Sequence, residues 1–148
     1  METDQVIIRA IEKEHFAEWI ILWNANNQGK CESSITSETW RRLLDHGSPV
    51  NGLGAWIEGK MAGICHYIIH PTTGSIEPVC YMQDLFVDPA FRRRGIAKSL
   101  LKELEAEGCR YKWKRIYWLA EAKNEAARKL YENIGLRLDF TFHVLPLS

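Results

Sequence analysis

The stretch Val87-Asp88-Pro89-Ala90-Phe91-Arg92-Arg93-Arg94-Gly95-Ile96-Ala97 constrains the fold of this chain more than any other. An apolar run from Val79 to Val87 reads as a strand, and Asp88-Pro89 stops it. A tight basic loop follows. A helix then starts at Gly95 and runs to about Glu107, with Ile96, Leu100, Leu101 and Leu104 on its apolar side and Gly108 as its expected end. At a helix start several backbone N–H groups lack internal partners, and the dipole adds partial positive charge. Gly95 and the small Ala97 let an anion approach that backbone, while Arg92, Arg93 and Arg94 add fixed charge and forked donors. The predicted role is to anchor the diphosphate of a nucleotide-like cofactor. A basic surface turn that happens to precede a helix is the competing reading of the same residues.

The rest of the chain supplies the scaffold. Val6 to Arg9 reads as a first strand, and Phe16, Trp19, Ile20 and Trp23 fall at the spacing of one helix face. Asn24 to Ser34 reads as a loop, and a second helix capped by Thr36 or Ser37 carries Trp40, Leu43 and Leu44. Leu53–Glu58 and Met61–Ile69 are strand-like runs joined at Gly59-Lys60, and Pro71–Gly74 is a turn. After the Gly95 helix come a strand over Arg115–Ala120, a helix over Asn124–Ile134 and a closing strand over Leu138–Leu145. Asn124 is that last helix's expected cap, and Gly135 lies just past its end. The order predicts a mixed α/β (α+β) fold, with helices covering a largely antiparallel sheet.

No repeat or linker divides the 148 residues, so one domain spanning 1–148 is expected. A domain of this size hides roughly 68–70% of its unfolded surface, enough for a real core. Nineteen basic residues balance nineteen acidic ones, and three arginines make no broad basic face, so no nucleic-acid partner is expected. No apolar run approaches the roughly 20 residues a membrane helix needs. The acidic start Met1-Glu2-Thr3-Asp4 lacks the pattern of a secretory signal, which makes the cytoplasm the expected address. Cys31, Cys65, Cys80 and Cys109 show no paired spacing, so reduced thiols and no metal site are expected.

Arg92-x-x-Gly95-x-Ala97 resembles the acetyl-CoA pyrophosphate signature of GNAT acetyltransferases, Gln/Arg-x-x-Gly-x-Gly/Ala. Tyr81-Met82-Gln83-Asp84-Leu85-Phe86-Val87 is similar to that family's fourth strand, and Asn124-Glu125-Ala126-Ala127-Arg128-Lys129-Leu130-Tyr131 to its second cofactor motif. Two motifs in the right order, about 30 residues apart, are far more specific than either alone. Within the family, the Tyr-x-x-Asp-Leu-Phe-Val run and Trp118-Leu119 resemble histone-and-other-protein acetyltransferases. Polyamine acetyltransferases are also similar, but they usually carry Glu-Asp where this chain has Gln83-Asp84.

The resemblance implies a sheet splayed between its fourth and fifth strands, with acetyl-CoA across the opening. Backbone groups of Leu85, Phe86 and Val87 would line the pantetheine arm, one N–H facing the thioester oxygen as charge grows there. Residues Arg92, Arg93, Arg94, Gly95, Ile96, Ala97 and Lys98 would hold the pyrophosphate, and Asn124, Ala127 and Tyr131 would meet the arm from the other side. Tyr131 would protonate the leaving thiolate; periodicity alone gives it a place on an inward helix face with Ala127, Leu130 and Ile134.

Asp84 is the candidate to attract the cationic amine and take its proton, with Glu77 and Glu121 as alternatives. Strand alternation groups Asp84 with Met82 and Phe86. His66 and His70 share a strand face about 13 Å apart, too far for joint metal binding, and each suits a relay, a wall or the core. Trp19, Trp23 and Trp40 read as core, one of them available to line an acceptor pocket. The expected activity is acetyl transfer from acetyl-CoA to a primary amine by direct attack. A non-catalytic acetyl-CoA-binding module and a protein amino-terminal acetyltransferase are the alternatives, and the resemblance favours a homodimer.

Overall fold

The computed structural model describes residues 5–147, and the chain divides into two compact units between Trp118 and Leu119. The first unit holds a five-stranded sheet of order β1-β2-β3-β4-β5. Its strands are β1 (Ile7–Ala10), β2 (Val50–Ile57), β3 (Lys60–His70), β4 (Val79–Val87) and β5 (Ile116–Tyr117). Neighbours pair antiparallel except β4 and β5, which run parallel. This is the mixed, largely antiparallel architecture expected. The β2–β3 hairpin turns at Glu58-Gly59, one residue earlier than expected; both have positive φ, 51° and 78°. A two-residue hairpin turn of that hand favours glycine, and Lys60 is already in the ladder opposite Ile57.

Helices α1 (Phe16–Asn26), α2 (Ser33–Leu44) and α3 (Ile96–Tyr111) cover the sheet. Alternation along β3 sorts them. Ile64 packs into the cluster of Trp19, Leu22 and Trp23 from α1. A Cβ on the adjacent Gly63 would meet Ile96 and Leu100 of α3, at 3.0 and 3.3 Å. One on Gly52 would meet Leu43 of α2 and His66, which puts α2 on the α1 face. The sheet is therefore sandwiched, and β2 and β3 are apolar along most of their lengths because both faces are covered. Burial of Ile96, Leu100, Leu101 and Leu104 seats α3, each contributing about 1.5–3 kcal/mol relative to exposure.

Among the boundaries that differ from expectation, three trace to side-chain or ladder contacts. Helix α2 begins at Ser33, not at a Thr36 or Ser37 cap, and the Thr36 hydroxyl instead accepts from the Trp23 indole at 2.8 Å. Gly108 does not end α3; it is buried inside the helix, where a Cβ would stand 3.0 Å from the Trp113 ring. The helix runs one turn further and closes at Lys112 in the left-handed conformation. β5 is two residues long instead of six, because its ladder with β4 ends at the Tyr81–Tyr117 pair.

In the second unit, α4 (Glu125–Ile134) is capped as expected by Asn124, whose Oδ1 accepts from the Ala127 N–H at 3.1 Å. The strand expected over Leu138–Leu145 is absent among the described residues. Alternating apolar residues supply a face, but a strand exists only when a ladder partner takes its backbone groups.

Candidate active site

The residues expected to line the arm and hold the pyrophosphate, from Leu85 to Lys98, run through the end of β4 into the start of α3. After Val87 a single 3₁₀ turn, Pro89–Phe91, is held by the Asp88 carboxylate accepting from the Ala90 N–H at 2.9 Å. The chain then enters the left-handed region twice, at Arg93 (φ 66°) and at Gly95 (φ 74°), the N-cap of α3. For arginine that conformation costs about 1–2 kcal/mol, whereas glycine adopts it freely. Such a turn directs successive backbone N–H groups to one side, a concavity suited to an anion. The first α3 bond runs from the Ser99 N–H to the Gly95 carbonyl, so the amides of Ile96, Ala97 and Lys98 precede the helical ladder. Arg92, Arg93 and Arg94 are exposed around this opening, with the Arg94 guanidinium 5.5 Å from the Phe91 ring centre. Ile96 is buried, so only its backbone can serve a ligand.

The splay beside β4 is equally concrete. The Asp88 N–H donates to the Ala62 carbonyl at 2.8 Å, which makes Val87–Gly63 a pair without mutual hydrogen bonds. By the alternation of an antiparallel ladder, Leu85 and Val87 turn their N–H and C=O groups away from β3, and Phe86 bonds to Ile64. On that outward side β5 has already ended. Of the three residues expected to line the arm, Leu85 and Val87 present polar backbone groups to the gap.

Asp84 sits one residue before this gap, on the α1 face. Its carboxylate receives two hydrogen bonds, one per oxygen. His66 Nδ1 lies 3.0 Å from Oδ2, and Asn26 Nδ2 donates to Oδ1 at 3.3 Å. Behind His66, the Trp19 indole N–H donates to Nε2 at 3.0 Å. The Asp84 side chain remains 26% exposed, so part of the carboxylate faces outward. Asp84 does not share a face with Met82 as alternation suggested. A bulge at Gln83 places His66 opposite Asp84 but Tyr67 opposite Met82, and Tyr67 packs on Trp113 at the far side of the sheet. The extra residue reverses the parity of β4. The grouping with Phe86 holds, since Phe86 packs against the α1 cluster.

Further along the same face, Tyr81 stacks on Tyr117 with ring centres 5.0 Å apart. His70 Nδ1 donates to the Pro71 carbonyl at 2.8 Å, which leaves Nε2 of the neutral ring to accept from Tyr117 Oη at 2.7 Å. Burial, together with the nearby Tyr117 and Asp84, raises the Tyr81 phenol above its ordinary value, so it stays protonated.

Over residues 8–136 the sequence matches the model of the acetyltransferase (GNAT) family. The chain belongs to the GNAT family. It is similar to the D-amino-acid N-acetyltransferase HPA3 of Saccharomyces cerevisiae, 26% identical over 145 residues that cover 94% of this chain and 89% of that protein. In fold it resembles a ribosomal-protein-alanine N-acetyltransferase from Brucella melitensis biovar Abortus 2308, at 23% identity and a TM-score of 0.81, covering 97% of this chain and 100% of that one. An aminoglycoside acetyltransferase from an uncultured soil metagenomic sample matches at 23% identity and a TM-score of 0.81, covering 97% and 99%.

As a GNAT acetyltransferase, this protein moves an acetyl group from acetyl-CoA to an amine. The Arg92–Lys98 turn and helix start fit the diphosphate chemistry of that co-substrate. Asn124, Ala127 and Tyr131 lie in the second unit, where Ala127, Leu130, Tyr131 and Ile134 share one face of α4. Of the alternative bases, Glu77 is exposed in the turn before β4 and Glu121 belongs to the second unit.

Sequence reasoning missed Asn26, which it read as loop although it is the last residue of α1. It also missed the pairing of His66 with both Trp19 and Asp84. The shared period of Trp19 and Trp23 pointed to a core, and no local signal marked the indole N–H as a donor to a histidine 47 positions away. Cys65 and Cys80 are buried in the sheet, and burial pushes both thiols up, Cys80 to about 12. Neither is a thiolate near neutral pH, so neither offers a nucleophile for a covalent acetyl intermediate.

Proposed function

We propose that this enzyme acetylates a small primary amine by direct attack on acetyl-CoA, with Asp84 receiving the amine and Tyr131 protonating the leaving group. The observation that carries this reading is the Asp84 carboxylate: oriented on both oxygens, partly open, and one residue from the outward-turned backbone of Leu85. A carboxylate there attracts an ammonium ion and takes its proton, directly or through water. The freed nitrogen forms the new C–N bond as the C–S bond breaks, and negative charge grows on the thioester oxygen. The Leu85 N–H is the donor suited to that oxygen, strengthening in the transition state more than in the ground state. The departing thiolate takes the phenol proton of Tyr131, a role carried by the motif resemblance.

A single ammonium group fits better than a polyamine. Asp84 is one charge, and Gln83, which stands where polyamine enzymes usually carry a second carboxylate, is exposed at the bulge. The stacked Tyr81 and Tyr117 offer an aromatic wall that favours a cation beside the carboxylate. The name of the yeast relative, a D-amino-acid N-acetyltransferase, also supports a small acceptor.

The test is a screen of primary amines with acetyl-CoA, following free thiol release. Turnover with small monoamines, giving intersecting double-reciprocal lines, is expected. Parallel lines would mean a covalent acetyl-enzyme, and amine-independent thiol release would mean no transfer at all.

A further inference from the structure

Asp84 is the end of a buried chain of hydrogen bonds, and the chemistry of each member fixes the direction of the whole chain. An indole nitrogen can only donate. Trp19 Nε1 donates to His66 Nε2 at 3.0 Å, so Nε2 must present its lone pair. The single ring proton of a neutral imidazole then sits on Nδ1, where it points at Asp84 Oδ2, 3.0 Å away. A second proton on Nε2 would set two N–H donors head to head inside the core. Trp19 is fully buried and His66 is 3% exposed, so no water can relieve that conflict. The ring is also held in place, with the Trp19 and Trp23 ring centres 6.1 and 5.6 Å from it.

We infer that Trp19 and His66 are positioning residues for acetyl transfer, a relay that aims the Asp84 carboxylate at the amine without cancelling its charge. The inference rests on the reading of Asp84 as the group that meets the amine. An imidazolium beside Asp84 would orient it equally well but would neutralise it as a counter-ion. A neutral Nδ1–H tautomer supplies the hydrogen bond alone, and the Trp19 N–H selects that tautomer. Asn26 secures the other oxygen with an uncharged donor, so both contacts leave the carboxylate its full charge. A carboxylate has about four acceptor directions, and the two left over serve the substrate.

Imidazole nitrogen NMR of the wild-type protein at neutral pH tests the tautomer directly. The expected spectrum shows His66 neutral, with Nδ1 protonated and Nε2 not; the opposite tautomer, or a doubly protonated ring, overturns the relay. Kinetics with the best amine then test its purpose. Trp19→Phe keeps an aromatic ring but removes the donor together with part of the buried indole, and His66→Phe removes the bond to Asp84. His66→Phe should raise the amine KM by about 10- to 100-fold, the value of a hydrogen bond to a charged group, while acetyl-CoA affinity is unchanged. Trp19→Phe should raise it less, and its His66 signals should no longer report a single tautomer. His66→Asn, whose amide can donate from near the Nδ1 position, should recover most of the loss.

Asp84→Asn separates the two levels of the argument. If Asp84→Asn leaves amine KM and turnover unchanged, the reading of Asp84 itself falls. If Asp84→Asn is impaired but His66→Phe and Trp19→Phe, each confirmed folded by retained acetyl-CoA binding, match wild type, only the relay falls. Should His66→Phe fail to fold, Trp19→Phe and the wild-type spectrum still decide.

Discussion

Two neighbouring stretches at the C-terminal half of β4 are built in opposite ways. Just past the strand, the turn and helix start from Asp88 to Lys98 gather the amides and arginines proposed to grip the diphosphate within a dozen consecutive residues. Around Asp84, the proposed amine-receiving carboxylate is held by groups from α1 and β3, with partners 18 and 58 positions away in sequence. The first region depends on backbone conformation: left-handed Arg93 and Gly95 and an uncapped helix N-terminus. The second depends on side-chain packing, in which two tryptophans close a histidine into the core. An anion grip can be written locally because unpaired amides and a dipole come with any helix start. Aiming a single carboxylate needs rigid neighbours on several elements.

The largest test of this contrast is Asp84→Asn. It should lower kcat/KM for the amine by about 10²–10⁴-fold, the range for a lost acid–base group, while calorimetric acetyl-CoA affinity stays at wild type. Tyr131→Phe comes next: turnover should fall within the same range, or less where water replaces the phenol. Its acetyl-CoA affinity should be intact, the mark of an interaction made in the transition state. Near wild-type turnover under conditions where chemistry limits the rate would reduce Tyr131 to packing.

Gly95→Ala should give the reverse profile, with weakened acetyl-CoA binding and an unchanged amine KM. Because Gly95 has φ 74°, it should also cost about 1–2 kcal/mol of stability, read in urea unfolding. A β-branched residue there would mix the two effects more severely, so alanine is the cleaner probe. An unchanged acetyl-CoA Kd in Gly95→Ala would move the diphosphate elsewhere. Gly108→Leu forces atoms toward Trp113 and should cost about 1–3 kcal/mol without altering either KM; a shifted amine KM would link α3 packing to the acceptor side.

The smallest effect is alkaline. Burial raises Cys80 from 9.0 to about 12 and raises Cys65 and Tyr67 in the same direction. Above pH 9 the unfolded chain releases these protons first, so stability that is complete below that value declines as pH rises toward 12. Thermal unfolding followed from pH 8 to 11 should show the midpoint falling, and Cys80→Ala should flatten the fall.

Much of the scaffold was legible because it is written in short periods and local signals. The β4 boundaries, the helix beginning after Gly95, the Asn124 cap and the three residues of Asp88-Pro89-Ala90 that open the anion turn all depend on near neighbours. Where a boundary depended on a distant side chain, reading failed. Gly108 looked like a stop but is the gap that admits Trp113, and Thr36 looked like a cap but serves Trp23.

By itself, the sequence determined the strand–turn–helix that can grip a diphosphate, the arginines around it, and the family to which both motifs belong. Only the tertiary structure decided what Asp84 faces. A bulge at Gln83 reverses the side on which residues point, and it arises from register between β3 and β4. A donor becomes a partner only when packing brings it within hydrogen-bonding distance, as the fold does for Trp19, His66 and Asn26. Local conformation is set by each residue and its neighbours; the direction of a buried hydrogen bond is set by whichever atoms the core places on either side of it.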